Sequence, residues 1–230
     1  MPLLLKNRAP DLSEQMDEPD CDTKKLVNTY RQFRLINPLI SRWHYIYSRF
    51  LLPYFDTYKT NTMLDLGFGG GDIPLSISRW AKRDGIDLLI TGVEIDKRAL
   101  NFVKSLPDDP KIDFRLETLE SIEQRGQKFD FVISNHLVHH LDQAELLIML
   151  KQTSRLAQKR VVFNDIERAD LAYLGFKLFV GPLLHNSFSR PDGLRSIRRS
   201  YTRPELQEAV PEGWEVTKIF PFRLLLIYDK

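Results

Sequence analysis

The chain has 230 residues, of which 43% are hydrophobic, enough for one domain with a sizeable core. The chain has 33 Lys and Arg residues and 31 Asp and Glu residues. The resulting net charge of +2 does not favour a nucleic-acid partner, and none is expected. The single cysteine, Cys21, excludes an intramolecular disulfide framework and a cysteine-rich zinc site. The short apolar run at residues 3–5 is too brief for a signal peptide, so we expect a cytoplasmic protein.

The N-terminal part, residues 1–58, is predicted to be a leader followed by a helical lid. Residues 1–22 show no sustained period and indicate a mobile or loosely docked leader. Apolar residues at helical spacing over 23–54 predict two helices, broken at Asn37-Pro38. This helical layer either packs on the core or closes over a substrate with Trp43 and Tyr47 on its inner face.

A strand, a glycine turn and a helix follow each other between Asn61 and Asp72. The apolar run at 62–66 predicts a buried strand, and Asp72 is a good N-cap for a helix over 72–83. The glycines of the turn allow the backbone to bend sharply and to approach a ligand; they are Gly67, Gly69 and Gly71. This order of elements predicts a nucleotide-type pocket.

Strands and helices then alternate, which indicates an α/β fold with a mostly parallel sheet covered on both faces, in one domain over 59–230. The predicted strands are 62–66, 88–94, 112–116, 129–134, 160–165, 214–220 and 222–229. The predicted helices are 72–83, 96–105, 118–125 and 142–156, with a short one that begins at Thr202. Residues 168–200 form an apolar and basic insertion. The last two strands are too close for a crossover helix and should pair antiparallel.

The acids around the turn select among adenosine-containing ligands. A dinucleotide fingerprint requires glycine where Asp72 stands, and two carboxylates would repel a diphosphate. Glu94, at the end of the second strand, is placed to accept both hydroxyls of a ribose. Asp65 and Glu94 could also be turn caps only. Together, the acids and glycines favour an adenosine joined to a cationic group without phosphates, which describes S-adenosylmethionine.

These segments resemble the class I S-adenosylmethionine-dependent methyltransferases of the small-molecule branch, which includes quinone-pathway, sugar and polyketide O-methyltransferases. The resemblance rests on Asp65-Leu-Gly-Phe-Gly-Gly-Gly71, Glu94 and Phe129-Asp-Phe-Val-Ile-Ser-Asn-His-Leu-Val-His-His-Leu141. It implies a Rossmann-like three-layer sandwich with strand order 3-2-1-4-5-7-6 and strand 7 antiparallel. It also implies that the cofactor, whose product is S-adenosylhomocysteine, contacts Asp65, Gly67, Gly69, Gly71, Asp72, Glu94, Ile95, Asn135 and His136. Glu117 or Thr118 would lie near the adenine amine.

Three histidines follow the fourth strand, where a general base for an acceptor hydroxyl would lie. We predict His139 and His140, with Asp165 as the acid that orients a histidine, to be the catalytic group; sugar O-methyltransferases are similar in this respect. The alternative is a helix-start turn in which one ring packs and the other is solvated. No metal is expected, because adjacent histidines do not easily point to one ion.

The acceptor is expected to be a hydrophobic small molecule with a phenolic, quinone-like or polyketide-like hydroxyl. Aromatic and leucine residues of the insertion suit such an acceptor, and contact with a membrane surface is compatible with it. Arg198 and Arg199 would bind an acidic group of the acceptor, unless the basic run is only solvated or binds RNA, as in an RNA methyltransferase. A non-catalytic cofactor-binding module is the remaining alternative. The chain would act as a monomer or homodimer.

Overall fold

Seven strands form one mixed sheet in the computed structural model, which describes residues 2–230 apart from the side chain of Leu39. The strands are β1 (Asn61–Leu66), β2 (Leu88–Glu94), β3 (Ile112–Leu116), β4 (Phe129–Asn135), β5 (Ala157–Ile166), β6 (Trp214–Ile219) and β7 (Arg223–Asp229). Their order is β3-β2-β1-β4-β5-β7-β6, and β7 runs antiparallel to both β5 and β6. The predicted fold class, strand order and closing hairpin are therefore confirmed.

Helices cover both faces of the sheet, so the central strands β1 and β4 are buried along most of their length, whereas the edge strands β3 and β6 carry exposed polar residues. The α-helices are α1 (Thr23–Ile40), α2 (Trp43–Ile46), α3 (Asp72–Arg83), α4 (Lys97–Val103), α5 (Leu119–Gln124), α6 (Gln143–Leu156), α7 (Asp170–Gly175), α8 (Ser189–Arg199) and α9 (Arg203–Ala209). Because successive side chains alternate, Leu64 and Val132 pack beneath α6 and α9, whereas Met63 and Phe131 pack beneath α2 and α3. Between these two packed faces, the carboxyl ends of the parallel strands lie together at one edge of the sheet.

Helix α1 is continuous through Pro38, so the predicted break at Asn37-Pro38 was wrong. Pro38 lies in the last turn, where the missing backbone N–H costs one hydrogen bond at most. The helix ends at Ile40, and Arg42 then adopts a left-handed backbone with φ of 59°. The break that the sequence indicated therefore lies four residues later.

The helical layer over 23–54 divides into two parts with different neighbours. Tyr30 of α1 packs with Phe68 of the glycine turn and with α4, so α1 lies over the predicted ligand site. The segment that begins at Trp43 packs instead against the sheet, in the same cluster as Phe131. Only α1 has the placement expected of a lid.

The N-terminal leader is closely docked, so its description as mobile or loosely docked was wrong. Backbone N–H groups of residues 3–5 donate to the Asp170 carboxylate, and those of Gln15 and Met16 donate to Asp192. Arg8 donates to the carbonyls of His139 and Leu141 at 3.0 and 2.8 Å. These anchors are side chains far away in sequence, which local periodicity does not reveal. Across residues 2–230, no helix has the length and apolar character required to cross a membrane.

Candidate functional site

A cavity of about 1050 Å³ opens at the carboxyl ends of the parallel strands, where α/β sheets bind ligands. Its wall comprises the glycine turn, the end of β2, the loop after β4, the insertion with α7 and α8, and part of the leader. The leader contributes Glu14, Met16, Asp17 and Pro19. A smaller cavity of about 450 Å³ lies between α1 and α3, and Asp72 lines both.

The glycines of the turn after β1 differ in what they face. Gly67 and Gly69 line the cavity, and Gly69 has a φ of +50° with open space where a Cβ would stand. A Cβ on Gly71 would lie 2.8 Å from Val103 Cγ1. Gly71 therefore serves helix packing and lies outside the described cavity wall, and its contact with the cofactor stays a prediction. It is also the N-cap of α3, so Asp72 is the first helical residue and not the cap.

Three acids converge on the glycine turn, and two of them, Asp65 and Asp72, are buried without a salt bridge among the described residues. Burial, together with Asp72 and Glu94, raises the pKa of Asp65 well above its ordinary value. Burial raises the pKa of Asp72 to about 6, although Asn37 donates a hydrogen bond of 2.8 Å to it. Asp65 Oδ2 has no hydrogen-bond partner in the described part of the chain. A buried carboxylate without a partner suits a positively charged ligand, because a nearby opposite charge stabilises its ionised form.

Glu94 lies at the end of β2, and its carboxylate accepts hydrogen bonds from backbone N–H groups near it. Its Oε2 accepts a hydrogen bond of 3.1 Å from Gly69 N–H, and its Oε1 accepts one of 2.8 Å from Ile95 N–H. Each carboxylate oxygen has further lone pairs for a ligand hydroxyl. Ile95 is exposed to the cavity, as is Glu117, whereas Thr118 caps α5 and is outside the described wall. The contact of Thr118 with the cofactor therefore stays a prediction.

The loop after β4 begins with two polar residues that face the cavity, Asn135 and His136. His136 has a φ of 62°, and its Nε2 is buried without a partner in residues 2–230. Burial and the nearby Arg223 hold the pKa of His136 well below its ordinary value, so its ring is neutral. Asn135 Oδ1 accepts hydrogen bonds from Asn164 Nδ2 and Arg223 Nη2 at 3.1 and 3.4 Å.

His139 is buried between two carboxylates. Its Nδ1 lies 2.7 Å from Asp165 Oδ1, its Nε2 lies 3.2 Å from Glu14 Oε1, and its backbone N–H donates to Asp165 Oδ2 at 2.8 Å. Burial alone would lower the pKa of this imidazole, but Asp165 and Glu14 outweigh burial and raise it to about 9. Burial would raise the pKa of Glu14, yet His139 lowers it to about 2. The group is therefore an imidazolium between two ionised acids at neutral pH.

The His140 ring lies against the His139 ring at an angle of 37°, with ring centroids 4.3 Å apart, and lines the cavity. Burial and the charge of His139 lower the pKa of His140 to about 4, so this ring is neutral. One atom each of Glu14, His139 and His140 lie within 4.8 Å of one another, a spacing that could hold a metal ion. The expectation that adjacent histidines diverge was thus wrong. Both nitrogens of His139 already contact carboxylates, and the absence of a metal stays a prediction.

The four residues predicted to contact the acceptor lie outside the described wall of this cavity. Trp43 and Tyr47 are buried in the core beneath the sheet, because their helical segment packs on β4 and not over the site. Arg198 points to solvent. Arg199 is buried and donates to the carbonyls of Leu12, His139 and His140, so it joins α8 to the leader and the histidine loop. The contact of these four residues with the acceptor stays a prediction, and their positions outside the wall do not favour it.

Two residues of the site had escaped sequence reasoning, Glu14 and Arg223. Glu14 is 125 residues from His139 and lies in a segment without periodicity, so no local signal identifies it. Arg223 is a charged residue at the start of an apolar strand. Because charged residues are rarely buried without a partner, a charge in that position could have indicated a functional residue. Arg223 is buried and lines the cavity, and its Nε donates to Asn164 Oδ1 at 3.0 Å.

Comparison with known sequences gives a consistent set of relatives. The family described as a methyltransferase domain matches residues 63–160. A ubiquinone biosynthesis O-methyltransferase of Chelativorans sp. (strain BNC1) is 31% identical over 162 residues, which cover 68% of this chain and 59% of the relative. The protein of the same description from Bartonella quintana (strain Toulouse) is 26% identical over 220 residues, 86% of each chain. The chain thus spans less than two thirds of the first relative's length.

Comparison with solved structures gives the same fold. The plantazolicin methyltransferase BpumL in complex with SAH has a TM-score of 0.66 at 13% identity and matches 94% of this chain and 92% of its own. Human N-acetylserotonin methyltransferase in complex with SAM has a TM-score of 0.61 at 13% identity, over 91% of this chain and 56% of its own. At such identities the likeness concerns the fold.

Proposed function

We infer that this chain, which carries a class I S-adenosylmethionine-dependent methyltransferase domain, transfers a methyl group to a hydroxyl of a hydrophobic small molecule. The acceptor class is phenolic, quinone-like or polyketide-like. The observation that carries the proposal is the acidic turn, where Asp65 and Asp72 are buried and Asp65 Oδ2 lacks a partner in the described residues. A cationic adenosine compound satisfies that oxygen, whereas a diphosphate would be repelled.

The chain's own residues would hold this cofactor at the first half of the cavity. Asp65 would receive its amino group, Glu94 its ribose hydroxyls, and Ile95 would lie against its adenine. The backbone of Gly67 and Gly69 would follow its methionine part, with Asn135 and His136 on the other side. When bound, the cofactor supplies an activated methyl group, and the protein's contribution is to hold a nucleophile close to it and in line.

The second half of the cavity would bind the acceptor. Residues of the insertion line it with mostly apolar side chains, such as Leu171, Phe176 and Ile197. His139 and His140 line the cavity, and Asp165, which lies behind the wall, contacts His139 Nδ1 at 2.7 Å; the three form the proposed catalytic group. Two relatives named as ubiquinone biosynthesis O-methyltransferases support an acceptor with an aromatic hydroxyl.

A turnover assay tests this proposal. The protein is incubated with methyl-labelled S-adenosylmethionine and a panel of phenols, hydroquinones and polyketide-like hydroxy compounds, and products are identified by mass spectrometry. We expect labelled methyl ethers from some members of the panel. If cofactor binds but no S-adenosylhomocysteine forms with any member, the non-catalytic binding module is the better description. A parallel incubation with RNA tests the RNA alternative, which the burial of Arg199 does not favour; methyl label on the RNA would support it.

A further inference from the structure

The roles of the two adjacent histidines can be separated by the contacts of their ring nitrogens. Both nitrogens of His139 face carboxylates, at 2.7 Å from Asp165 and 3.2 Å from Glu14, and the side chain is 2% exposed. An imidazole that donates from both nitrogens has no lone pair for another proton. The nitrogens of His140 lie farther from carboxylates, at 3.8 Å from Glu14 and 3.4 Å from Asp17, and neither forms a hydrogen bond to them. The His140 side chain is 26% exposed, and its ring lines the cavity.

The second carboxylate comes from outside the methyltransferase sheet. Glu14 is buried, and its Oε1 also accepts a hydrogen bond of 2.7 Å from Ser196 of α8. Its neighbours Gln15 and Met16 are fixed by Asp192, and Leu12 is fixed by Arg199. Since backbone contacts hold the leader on both sides of Glu14, the carboxylate is presented to His139 in one position.

We propose, building on the proposed function, that Glu14 is a positioning residue which holds His139 against Asp165, so that His140 is the ring that receives the proton of the acceptor hydroxyl. The acceptor oxygen bonds to the methyl carbon as the carbon–sulfur bond breaks, and that bonding pair remains on sulfur as a thioether. The hydroxyl proton passes to a nitrogen of His140. The hydroxyl becomes strongly acidic as its oxygen acquires the methyl group, so a weakly basic imidazole is sufficient.

The charges around His139 explain why Glu14 matters for the separate roles of His139 and His140. The groups that face or adjoin the His139 ring and its loop are Asp165 of β5, Glu14 and Arg8 of the leader, Arg199 of α8, and His136 and His140 of the same loop. Asp17 of the leader lies 3.4 Å from His140. Without the Glu14 charge, the imidazolium keeps one ionised partner, and the ring becomes free to turn and to lose a proton.

The test compares Glu14→Gln with Glu18→Gln, which removes the same charge from an exposed position of the same leader. Histidine-labelled protein is titrated by NMR, and S-adenosylmethionine affinity is measured by calorimetry. In the wild type and in Glu18→Gln we expect the His139 ring to stay protonated to about pH 9. In Glu14→Gln its titration should move at least one pH unit lower, while cofactor affinity remains within about twofold. The same titration in Glu18→Gln and Glu14→Gln overturns the proposal.

Two further variants separate positioning from general loss of structure. Ser196→Ala removes a hydrogen bond to Glu14 but leaves both carboxylates, so it should shift the His139 titration by much less than Glu14→Gln does. With a methylated acceptor in hand, His140→Gln should lower kcat by about 10²–10⁴-fold and Glu14→Gln by less, with KM for the cofactor unchanged. An unaltered kcat in His140→Gln contradicts the assignment of the base.

Failure of this proposal can be told apart from failure of the proposed function. The NMR titration of His139 requires neither cofactor nor acceptor, so it reports on Glu14 even if no acceptor is ever methylated. Conversely, cofactor binding and product formation with an unchanged His139 titration in Glu14→Gln would leave the methyltransferase assignment in place and remove Glu14 from its mechanism.

Discussion

At the scale of single residues, the site combines buried acids that form no salt bridge within residues 2–230 with a histidine that lies between two anions. Asp65 and Asp72 are buried around the glycine turn, and His139 lies between Glu14 and Asp165. Strongly shifted pKa values that cluster in one cavity are typical of functional sites. The first group suits the binding of a cation, and the second fixes the orientation of a ring.

Replacing Asp65 should weaken cofactor binding and little else. Asp65→Asn removes a charge that would pair with the cofactor's amino group, and a hydrogen bond to a charged group contributes about 1.5–3 kcal/mol, so Kd should rise by roughly 10- to 150-fold. Calorimetry measures the change, with the exposed Asp113→Asn as control. Equal affinities in the two variants would show that Asp65 does not contact the ligand.

Cofactor affinity should also depend on pH. Burial raises the pKa of Asp72 to about 6 in the free protein, so this acid is largely protonated below that pH and ionised above it. An ionised Asp72 attracts a cationic ligand, and binding of a cation should therefore strengthen as pH rises from 5 to 7. Calorimetric titrations at several pH values, repeated with Asp72→Asn, measure this. If the affinity of Asp72→Asn depends on pH as strongly as that of the wild type, groups other than Asp72 cause the pH dependence.

At the scale of elements, the glycine turn between β1 and α3 is the part that sequence reasoning describes best, because its signals are local. Strand, turn and helix each depend on residues within about a dozen positions, and the alternation of strands and helices then restricts the topology to few choices. The leader could not be predicted in this way. Its contacts with Asp170, Asp192 and His139 join residues more than a hundred positions apart, and only the folded chain brings them together.

The packing role of Gly71 predicts a large loss of stability on substitution. Gly71→Ala would combine a left-handed backbone, which costs about 1–2 kcal/mol, with a Cβ that meets Val103 at 2.8 Å. Gly126→Ala is a matched control, because Gly126 has a similar φ of +64° and open space around it. Urea unfolding should show a greater loss for Gly71→Ala by at least about 1 kcal/mol. Equal losses would mean that the α4 packing adapts without cost.

At the scale of the whole molecule, the leader, α8 and the histidine loop form one buried network of charges on the carboxyl edge of the sheet. The contribution of this network to the free energy of unfolding should depend on pH. The pKa of His139 is about 9 in the folded chain against an ordinary value of 6.5, so the stabilisation is fully present below pH 6.5 and is lost as pH rises through 9. Unfolding free energies between pH 6 and 9.5 should fall more steeply in the wild type than in His139→Gln. Parallel curves would contradict the ion pair.

The insertion also exposes apolar surface beside the cavity. Leu178 and Phe179 are 61% and 74% exposed, close to residues that line the acceptor space. If an apolar acceptor is taken from a membrane surface, Leu178→Ser with Phe179→Ser should lower sedimentation with phospholipid vesicles by about tenfold or more, since each buried side chain contributes about 1.5–3 kcal/mol. Leu35→Ser, which changes an apolar side chain 73% exposed on α1, is the control. Equal sedimentation of the two variants would exclude this surface.

The measurement that tests the central claim most directly is a calorimetric titration of the full chain with S-adenosylmethionine, beside NAD and ATP under the same conditions. The acids at the glycine turn predict saturable binding of S-adenosylmethionine at one site per chain and no detectable binding of the two phosphate-bearing nucleotides. Binding of NAD or ATP in preference to S-adenosylmethionine, or no binding of S-adenosylmethionine at all, would contradict the account.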